Sequence, residues 1–579
     1  MKHIQGIDGL RAVAVLSVVA YHAGLPVPAG FVGVDVFFVI SGYLITRLLR
    51  DEVQANGRID FMAFYARRAR RILPALVAVV LATLGLSALM LTDTATVAKS
   101  AAAASAFVAN VFFQTQTSGY WSADSEAMPL LHLWSLSVEE QFYLLWPVVL
   151  ILARRRPVAA LACIAVASLA LAEWWLLSNP QAAFYQMPSR AWELALGGLV
   201  ALRPVNVPKG SAWIGLAAVL FACFVPQSHF PGIGGLPAVL GAALVIAAIQ
   251  NGQRVAMLEW RPVVFVGLIS YSFYLWHWPL LAIDHAMGGS ASPLPARLGL
   301  VALAFGLACG SYRYIETPFR RMQGASRRVV LVGVSVLTVV TCSAFAIGAR
   351  PVPINAARLA ELDFPANRFT CHQQALGPAT DLADACQNRP GTPDVVMWGD
   401  SMAMAWQPYA YAQRGIAADY SRDGCPAFDV GEATARDQWC QAFNALVLPR
   451  AQAARTVIFA GRWAMYPSVS GLDATLRKLS RQHVVIIGPT PTLPARVPNC
   501  IGWHNMAPCS LPRATFDAQA KPARAELKRL AARYGAIYVE PVDFFCTATT
   551  CSAMRDGVPL YWDKDHITSS AVRMFTLSR

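Results

Sequence analysis

Hydrophobic and polar residues are distributed unevenly along this chain. Residues 1–349 consist mainly of long apolar runs, whereas residues 350–579 have the mixed pattern of a globular protein, with Asp, Arg and Pro throughout. An apolar run of about 17 to 25 residues is long enough to cross the roughly 30 Å hydrocarbon core of a bilayer as a helix. Such runs begin near residues 8, 31, 72, 132, 157, 190, 211, 234, 262, 295 and 329. We therefore expect a multi-pass α-helical membrane domain of about 11 spans, followed by a water-soluble domain.

Basic residues test this count, because short cytoplasmic loops of membrane proteins are enriched in Lys and Arg. If the N-terminus is inside, the clustered basic residues all lie in loops on the same side: Arg47, Arg50, Arg58, Arg67, Arg68, Arg70, Arg71, Arg154, Arg155, Arg156, Arg203, Lys209, Arg254, Arg261, Arg320, Arg321, Arg327 and Arg328. An odd number of spans then places residues 350–579 outside the cytoplasm. The segment AKSAAAASAFVANVFF, residues 98–113, resembles a further span, but counting it would reverse the side of every later basic loop. We therefore predict that it is an interfacial or re-entrant helix.

The first segment, MKHIQGIDGLRAVAVLSVVAYHAG, has the apolar centre of a signal peptide. A signal peptide ends at a cleavage site of the small-x-small type. No clear site of this type is present, and Asp8 and Arg11 lie beside the apolar stretch. We expect this segment to be retained as the first membrane helix.

Cysteine usage gives an independent test of the outside placement. Eight of the 12 cysteines are in the water-soluble part: Cys371, Cys386, Cys425, Cys440, Cys500, Cys509, Cys546 and Cys551. An even set in a compact domain is typical of disulfides in an oxidising compartment. Many pairings are possible, and sequential local pairs, beginning with Cys371–Cys386, are the simplest. A zinc site is the alternative, but no tight C-x2-C pair with a second ligand pair supports it, so we expect no metal.

In the soluble part, short apolar runs alternate with helix-like segments. The runs DVVMW, TVIFA, HVVIIG and AIYVE are candidate strands, and KPARAELKRLAARYG separates the last two as a candidate helix. This alternation predicts a parallel sheet with helices on both faces, in which ligands bind where strands end and helices begin. Ser401, in VVMWGDSMAM, lies at such a strand–turn–helix junction.

A serine nucleophile needs a base, and the segment YWDKDHITSS supplies a candidate. Asp563 and His566 are three residues apart, so the carboxylate can orient the imidazole that deprotonates Ser401. Gly424, in SRDGCPAF, is a candidate donor of a backbone N–H to an oxyanion, together with Ser401 itself. Taken alone, Gly-Asp-Ser is a common turn and His566 a common type of surface histidine. The ordered trio favours catalysis.

The order Gly-Asp-Ser, a Gly-containing loop and Asp-x-x-His resembles the SGNH (GDSL-like) family of hydrolases and acyltransferases. The resemblance implies an α/β/α domain in which Ser401, His566 and Asp563 are nucleophile, base and orienting acid. One part of the pattern differs. The Asn of the family is expected near IFAGRWAMY, where Gly461, Arg462 and Trp463 stand instead. Related membrane-fused members are similar in having Trp there.

Charged residues inside apolar helices are functional candidates, because a charge at the bilayer centre costs about 2.5–3.5 kcal/mol on insertion scales. Arg11 and His22 are separated by about three helical turns and a rise of about 16 Å, so they share one face of the first helix. An arginine near the cytoplasmic end suits an anionic ligand, and a histidine deeper in the membrane suits proton transfer. The alternative is that His22 lies at the outer interface with hydrogen bonds to water.

Further segments place charged or histidine side chains among aromatic ones: GVDVFFVISGYLITR, FYARRARRILP, LLHLWSLSVEEQFYLLWP, FYQMPSRAWELALGG, ISYSFYLWHWPL and SYRYIETPFR. As a set they resemble the acyltransferase-3 family of membrane acyltransferases over residues 1–320. With the fused SGNH domain, the chain resembles the O-antigen (lipopolysaccharide) and related polysaccharide O-acetyltransferases of bacterial envelopes. The resemblance implies acetyl-CoA as the donor, His22 as a catalytic residue, and Arg11, Arg68 and Arg71 as contacts for the coenzyme. The residues expected to support this membrane site are Asp35, Glu139 and Glu140.

The predicted organisation follows from these segments. It comprises an acyltransferase-3 membrane domain (1–328), an additional transmembrane helix (329–349), a periplasmic linker (350–392) and an SGNH domain (393–579). We expect a multi-pass protein of the bacterial inner membrane, with a cytoplasmic N-terminus and a periplasmic C-terminal domain. Hydrophobic residues make up 56% of the chain and charged residues only 14%, which agrees with this class.

The expected function is a relay that moves acetyl from cytoplasmic acetyl-CoA to hydroxyls of a cell-envelope polysaccharide or lipid-linked glycan, with Ser401 completing the transfer. One alternative is that the SGNH domain is a glycan O-acetyl esterase beside an autonomous transferase. Another is an exporter of an acylated intermediate or a sugar, although a transporter needs no serine triad. The net charge of +14 is explained by the basic loops, so no nucleic-acid partner is expected.

Overall fold

The computed structural model describes residues 4–91, 93–117, 125–225, 229–288, 292–348, 359–360, 362–365, 382, 386–428, 435–466, 468–479, 481–502 and 506–578. These residues form two compact units. The first lies within residues 1–350, and the second comprises the described residues of 351–579 together with residues 286–288.

The first unit is built from helices. Its α-helices are Gln5–His22, Gly33–Asn56, Phe61–Met90, Thr94–Ser105, Ala109–Thr117, Leu133–Leu152, Pro157–Ser178, Pro180–Tyr185, Met187–Leu202, Ser211–Phe224, Leu236–Gln250, Ala256–Glu259, Arg261–Gly288, Leu294–Ser311, Thr317–Arg321 and Ser326–Gly348. Short 3-10 turns are Gly30–Val32, Ser125–Ala127 and Ile233–Gly235, and a π-helical turn is Tyr312–Glu316. Every predicted span is helical in the structure.

Among the described residues, eight helices are long and apolar enough to cross a membrane. The other three predicted spans are shorter or carry more charge: Gln5–His22, Met187–Leu202 and Ser211–Phe224, of 18, 16 and 14 residues. The first contains Asp8 and Arg11, and the second contains Arg190 and Glu193. The multi-pass helical architecture is therefore confirmed, and the number of 11 spans stays a prediction.

The apolar stretch at residues 98–113 is divided between two helices. Thr94–Ser105 has 12 residues and Ala109–Thr117 has 9. At 1.5 Å per residue these helices are about 18 Å and 14 Å long, shorter than the roughly 30 Å of a hydrocarbon core. Phe107, with φ of 56°, lies between them. Neither helix is long enough to span, which agrees with leaving this stretch out of the count, and its interfacial or re-entrant placement stays a prediction.

Small residues allow two of the central helices to approach closely. A Cβ atom on Gly42 would lie 1.9 Å from the Leu194 carbonyl oxygen, and one on Gly197 would lie 2.0 Å from the Val39 carbonyl oxygen. Only glycine fits at such a crossing, which is a common device in membrane helix packing. This crossing joins helices Gly33–Asn56 and Met187–Leu202.

The second unit contains a five-stranded parallel sheet. Its strands, in chain order, are β1 (Val395–Gly399), β2 (Ala417–Ser421), β3 (Thr456–Ala460), β4 (His483–Ile487) and β5 (Ile537–Val539). Their order in the sheet is β2-β1-β3-β4-β5, and each neighbouring pair is parallel. The four predicted runs form β1, β3, β4 and β5. The edge strand β2 was not predicted, because AADYS lacks a run of large apolar residues.

Helices connect these strands. They are Ser401–Ala405, Gln407–Tyr411, Ala435–Ala453, Leu472–Arg477, Val497–Gly502, Arg513–Tyr534, Val542–Phe545 and Ser569–Leu577, with 3-10 turns Trp463–Met465 and Ala507–Cys509. Two short antiparallel pairs, Leu511–Pro512 with Thr550–Cys551 and Met554–Arg555 with Val558–Pro559, lie outside the main sheet. Separate apolar cores cover the two faces of the sheet, as the predicted α/β/α fold requires.

The described part of the second unit contains disulfides Cys425–Cys440, Cys500–Cys509 and Cys546–Cys551. These are the sequential pairs expected from the sequence. Cys371 lies outside the described residues, so the expected pairing of Cys371 with Cys386 stays a prediction.

Candidate functional site

The turn that carries Ser401 is held by the residue before it. Asp400 caps helix Ser401–Ala405 by accepting a hydrogen bond from the Met402 backbone N–H at 2.8 Å. Its other carboxylate oxygen accepts hydrogen bonds from the Arg462 backbone N–H at 2.8 Å and the Tyr466 hydroxyl at 2.5 Å. Burial raises the pKa of Asp400, and these hydrogen bonds partly offset the effect. Asp400 thus fixes the position of Ser401 relative to the segment that follows β3.

The structure brings the three predicted triad residues together. The Ser401 Oγ lies 2.8 Å from the His566 Nε2, and the His566 Nδ1 lies 2.6 Å from the Asp563 Oδ2. The other Asp563 oxygen accepts hydrogen bonds from the backbone N–H groups of His566, at 2.7 Å, and Asp565, at 2.8 Å. Ser401 and His566 are both buried. This is the geometry of a nucleophile, a base and an orienting carboxylate.

The charge state of Asp563 suits the orienting role. Burial alone would raise the pKa of this carboxyl, but the His566 imidazole and the hydrogen bonds from His566 outweigh it, so that the pKa lies below its usual value. The ionised carboxylate accepts a hydrogen bond from the Nδ1–H of His566. The His566 Nε2 is then left to accept the proton of the Ser401 hydroxyl.

A second carboxylate, which sequence reasoning missed, also reaches the base. The Asp565 Oδ1 lies 3.0 Å from the His566 Nδ1, and the other Asp565 oxygen pairs with the guanidinium of Arg462. The signal was present in the segment DKDH, where both acidic residues precede the histidine. Only the fold decides which of the two lies closer to the ring.

The predicted oxyanion donor Gly424 lies in the turn after β2 and has φ of 57°, a conformation that glycine adopts without strain. Since β1 and β2 are parallel neighbours, this turn and Ser401 follow strand ends at the same edge of the sheet. Trp463, at the place where the family has Asn, is buried and donates its indole N–H to the Ile487 carbonyl oxygen at 2.7 Å. That indole N–H is therefore already engaged. The donor role of Gly424 stays a prediction.

In the first unit, the predicted coenzyme contacts Arg11, Arg68 and Arg71 line one cavity, which we call the basic cavity. Its other charged lining residues are Asp8, Glu316 and Arg320. An adjacent central cavity shares Arg11, Arg68 and Arg71 with it and is also lined by Ser41 and Glu139. Four guanidinium groups outnumber the two carboxylates of the basic cavity, Asp8 and Glu316, so its lining has the positive charge that suits an anion.

The predicted supporting residues do not lie together. Glu139 lines the central cavity and accepts a hydrogen bond from the Ser41 hydroxyl at 2.7 Å. Glu140 is not among the residues that line the cavities, and its buried Oε1 has no hydrogen-bond partner in the described part of the chain. Asp35 lines a third cavity, where it accepts a hydrogen bond from Arg190.

This third cavity, which we call the histidine cavity, is lined by His22, His132, Asp35 and Arg190 together with several aromatic rings. It shares Val34 and Tyr274 with the central cavity. The basic, central and histidine cavities therefore follow one another through the first unit. Arg11 lines the basic cavity and His22 lines the histidine cavity, so these two residues lie at opposite ends of the series, about 16 Å apart along one helix.

Arg190 is a buried cation that sequence reasoning did not assign. Its Nη2 lies 3.0 Å from the Asp35 Oδ1, and its Nε lies 2.9 Å from the Glu193 Oε1. Its guanidinium also lies within 6 Å of four ring centres: those of Phe38, Trp134, Phe184 and Phe230. Carboxylates and rings together compensate for removing this charge from water.

Comparison with known proteins agrees with this architecture. A family model described as "Acyltransferase domain" matches residues 4–313, more than half of the chain. The chain belongs to this family. A second model, described as "SGNH domain (fused to AT3 domains)", matches residues 370–576. The expected combination of an acyltransferase-3 membrane domain and an SGNH domain is therefore confirmed.

The chain is similar to several curated O-acetyltransferases. It is 32% identical to the peptidoglycan O-acetyltransferase OatA of Listeria monocytogenes, over 55% of this chain and 56% of that protein. It is 30% identical to the putative peptidoglycan O-acetyltransferase YrhL of Bacillus subtilis, over 57% of each chain. A putative O-acetyltransferase of Staphylococcus aureus is 33% identical over 55% of this chain and 58% of that protein. The chain thus spans little more than half the length of the curated relatives it matches.

One solved structure matches the chain weakly. It is the periplasmic domain of a lipopolysaccharide acetyltransferase from Salmonella ser. Paratyphi A, with 14% identity and a TM-score of 0.30, over 38% of this chain and 92% of that one. This similarity is too low to indicate a shared function.

Proposed function

We propose that the protein is a membrane O-acyltransferase, which takes an acetyl group from acetyl-CoA and delivers it to hydroxyls of a cell-envelope glycan. The observation that carries the proposal is the presence of two chemical sites on one chain. One is the series of cavities between Arg11 and His22, and the other is the triad of Ser401, His566 and Asp563. Membership of the acyltransferase family supports the reaction class.

The basic cavity suits the donor. Coenzyme A carries several phosphate charges, and Arg11, Arg68, Arg71 and Arg320 line this cavity. Guanidinium groups bind phosphate through paired, charge-assisted hydrogen bonds. With the phosphates held there, the long uncharged arm of the coenzyme extends through the central cavity and brings the thioester toward His22.

The triad suits the transfer of an acyl group to an alcohol. The Ser401 Oγ attacks the acyl carbonyl while the His566 Nε2 takes its proton, the bond to the donor's leaving group breaks, and that group receives the proton. A glycan hydroxyl then attacks the resulting serine ester. His566 takes the proton of that hydroxyl and returns it to the Ser401 oxygen as the acyl–Oγ bond breaks.

The acceptor class follows from the relatives. Two of them are named as peptidoglycan O-acetyltransferases, and peptidoglycan is a polymer of hydroxyl-bearing sugars outside the cytoplasmic membrane. We therefore propose an envelope glycan as acceptor, with lipopolysaccharide and peptidoglycan as the two classes to compare. The proposal places the basic loops in the cytoplasm and residues 351–579 in the periplasm.

One substitution separates transfer from hydrolysis. Ser401→Ala in the full chain should abolish acetylation of the glycan without changing the binding of acetyl-CoA, and the exposed Ser578→Ala should behave as the wild type. Acetyl groups on purified peptidoglycan and lipopolysaccharide would be quantified from cells that carry each variant. A rise in acetylation with Ser401→Ala would instead identify the soluble unit as an esterase. Unchanged acetylation would refute the proposed relay.

A further inference from the structure

Two histidines from distant parts of the chain share a hydrogen bond in the first unit. The His22 Nδ1 lies 2.9 Å from the His277 Nε2, although the residues are 255 positions apart. His277 belongs to helix Arg261–Gly288 and is fully buried. His22 lines the histidine cavity, whereas His277 is not among its lining residues. His277 therefore lies behind His22.

The remaining contact of His277 determines the direction of this hydrogen bond. Its Nδ1 lies 2.7 Å from the Tyr274 carbonyl oxygen. A carbonyl oxygen only accepts, so the Nδ1 of His277 carries a proton. In a neutral imidazole the other nitrogen is then an acceptor. The His22 Nδ1 must therefore donate to the His277 Nε2, and the Nε2 of His22 is left as a nitrogen with a free lone pair.

We propose that His277 is a positioning residue that fixes the tautomer and the ring orientation of His22, so that the His22 Nε2 acts as the base in acyl transfer within the first unit. This inference rests on the proposed function. In the step, a hydroxyl group of the acyl acceptor attacks the thioester carbonyl and gives its proton to the His22 Nε2. The new C–O bond forms, the C–S bond breaks, and the proton passes to the sulfur of the leaving thiol.

The arrangement has the logic of a serine triad without a carboxylate. In a triad, the acid holds the base in the tautomer whose free nitrogen faces the reaction. Here the Tyr274 carbonyl orients His277, and His277 orients His22. The two imidazole planes are 15° from parallel and their ring centres are 5.2 Å apart. The Trp278 ring meets the His22 ring edge-on, with ring centres 4.4 Å apart. These contacts restrict rotation of the His22 ring.

A third histidine lies near the pair but does not take part in it. The His132 ring is 5.9 Å from the His277 ring, and the His132 Nε2 lies 3.2 Å from the Leu275 carbonyl oxygen. The His132 Nε2 therefore carries a proton and donates a hydrogen bond to that carbonyl. His277 is thus the described residue whose side chain sets the protonation of the His22 Nδ1.

The test uses the full-length protein in lipid nanodiscs, with acetyl-CoA consumption as the measured rate. His277→Leu removes the acceptor, and kcat should fall about 100-fold or more, the range expected for losing general base catalysis. The KM for acetyl-CoA should stay within about twofold, because His22 and His277 do not line the basic cavity. His277→Gln, whose amide oxygen can accept the same hydrogen bond, should recover activity to within about tenfold of the wild type. His483→Gln, at an exposed position in the second unit, is the matched control.

Two further measurements separate positioning from general damage. If His277 acts only through His22, the double variant His22→Ala/His277→Leu should be no slower than His22→Ala. The inference would be overturned if His277→Leu kept the wild-type kcat, or if its KM for acetyl-CoA rose by as much as kcat fell. Additive losses in the double variant would also overturn it. Nitrogen-15 solid-state NMR of histidine-labelled protein, with His22→Ala to assign the signal, should show the Nδ1–H tautomer of His22. An Nε2–H tautomer there would also overturn it. A wild-type protein that consumes no acetyl-CoA would refute the proposed function. The NMR measurement would still decide the tautomer of His22.

Discussion

The two carboxylates beside His566 should contribute very unequally to the reactivity of Ser401. Asp563 lies 2.6 Å from the His566 Nδ1, whereas Asp565 lies 3.0 Å away and is paired with Arg462 through its other oxygen. Asp563→Asn keeps the shape and the backbone hydrogen bonds but loses the charged acceptor. A hydrogen bond to a charged group contributes about 1.5–3 kcal/mol. At about 1.4 kcal/mol per factor of ten, this loss corresponds to a rate reduction of roughly 10- to 150-fold.

The nearby carboxylate of Asp565 limits the loss of rate, because it can accept a hydrogen bond from the His566 Nδ1–H when Asp563 is replaced by Asn. Asp565→Asn alone should therefore slow the reaction by less than about fivefold, since the stronger hydrogen bond to Asp563 remains. The double variant should lose clearly more than the product of the two single losses. Each carboxylate should therefore partly compensate for the loss of the other as hydrogen-bond acceptor of the His566 Nδ1–H.

The assay is the rate at which a fluorophosphonate reagent labels Ser401 in the full-length protein, with Ser401→Ala as the blank. This rate reports the reactivity of the serine and does not depend on the identity of the glycan. The reasoning would be refuted if Asp565→Asn were as slow as Asp563→Asn, or if the double variant were no slower than Asp563→Asn.

Three further predictions concern other parts of the chain. Burial raises the pKa of Asp419 from 3.8 to about 7, and a hydrogen bond with Ser421 partly offsets this rise. The folded protein therefore holds the Asp419 proton more tightly than the unfolded chain does. As a result, the free energy of unfolding falls by up to about 4 kcal/mol as the pH rises from about 4 to 7. Asp419→Asn should remove this pH dependence in urea unfolding of the second unit. Arg71→Gln should raise the KM for acetyl-CoA roughly tenfold, whereas Arg70→Gln, outside the basic cavity, should not. Gly42→Ala should lower the thermal stability of the detergent-solubilised protein, because its Cβ would meet a carbonyl oxygen at 1.9 Å, whereas Gly85→Ala, with open space around it, should be tolerated.

The soluble site could be predicted in large part because its key residues lie in local motifs. Ser401 belongs to one strand–turn–helix junction, and Asp563 and His566 lie three residues apart, so local spacing predicted a triad of these three residues. The contribution of Asp565 could not be predicted, because the sequence places it next to His566 without showing which way its carboxylate turns. The hydrogen bond from the Trp463 indole N–H to the Ile487 carbonyl oxygen could not be predicted either, because it depends on the direction of a side chain in the folded protein.

The membrane site was predictable only where one helix carries two of its residues. Arg11 and His22 share a face because the helical period relates them. Asp35 was predicted to support the membrane site, and the structure pairs it with Arg190, which is 155 residues away. Helix periodicity gives the face of a side chain but not the helix that it faces. That choice depends on close crossings such as the one at Gly42 and Gly197.

The sequence by itself determined the division into an apolar and a globular part, the helical nature of every predicted span, four of the five sheet strands and the position of Ser401. These features depend on hydrophobic periodicity and turn chemistry, which act over a few residues. The tertiary structure decided the edge strand β2, the second carboxylate at His566 and the pairing of His22 with His277. Each of these depends on contacts between residues far apart in the chain or on the direction of a single side chain, and these are set by packing rather than by local pattern.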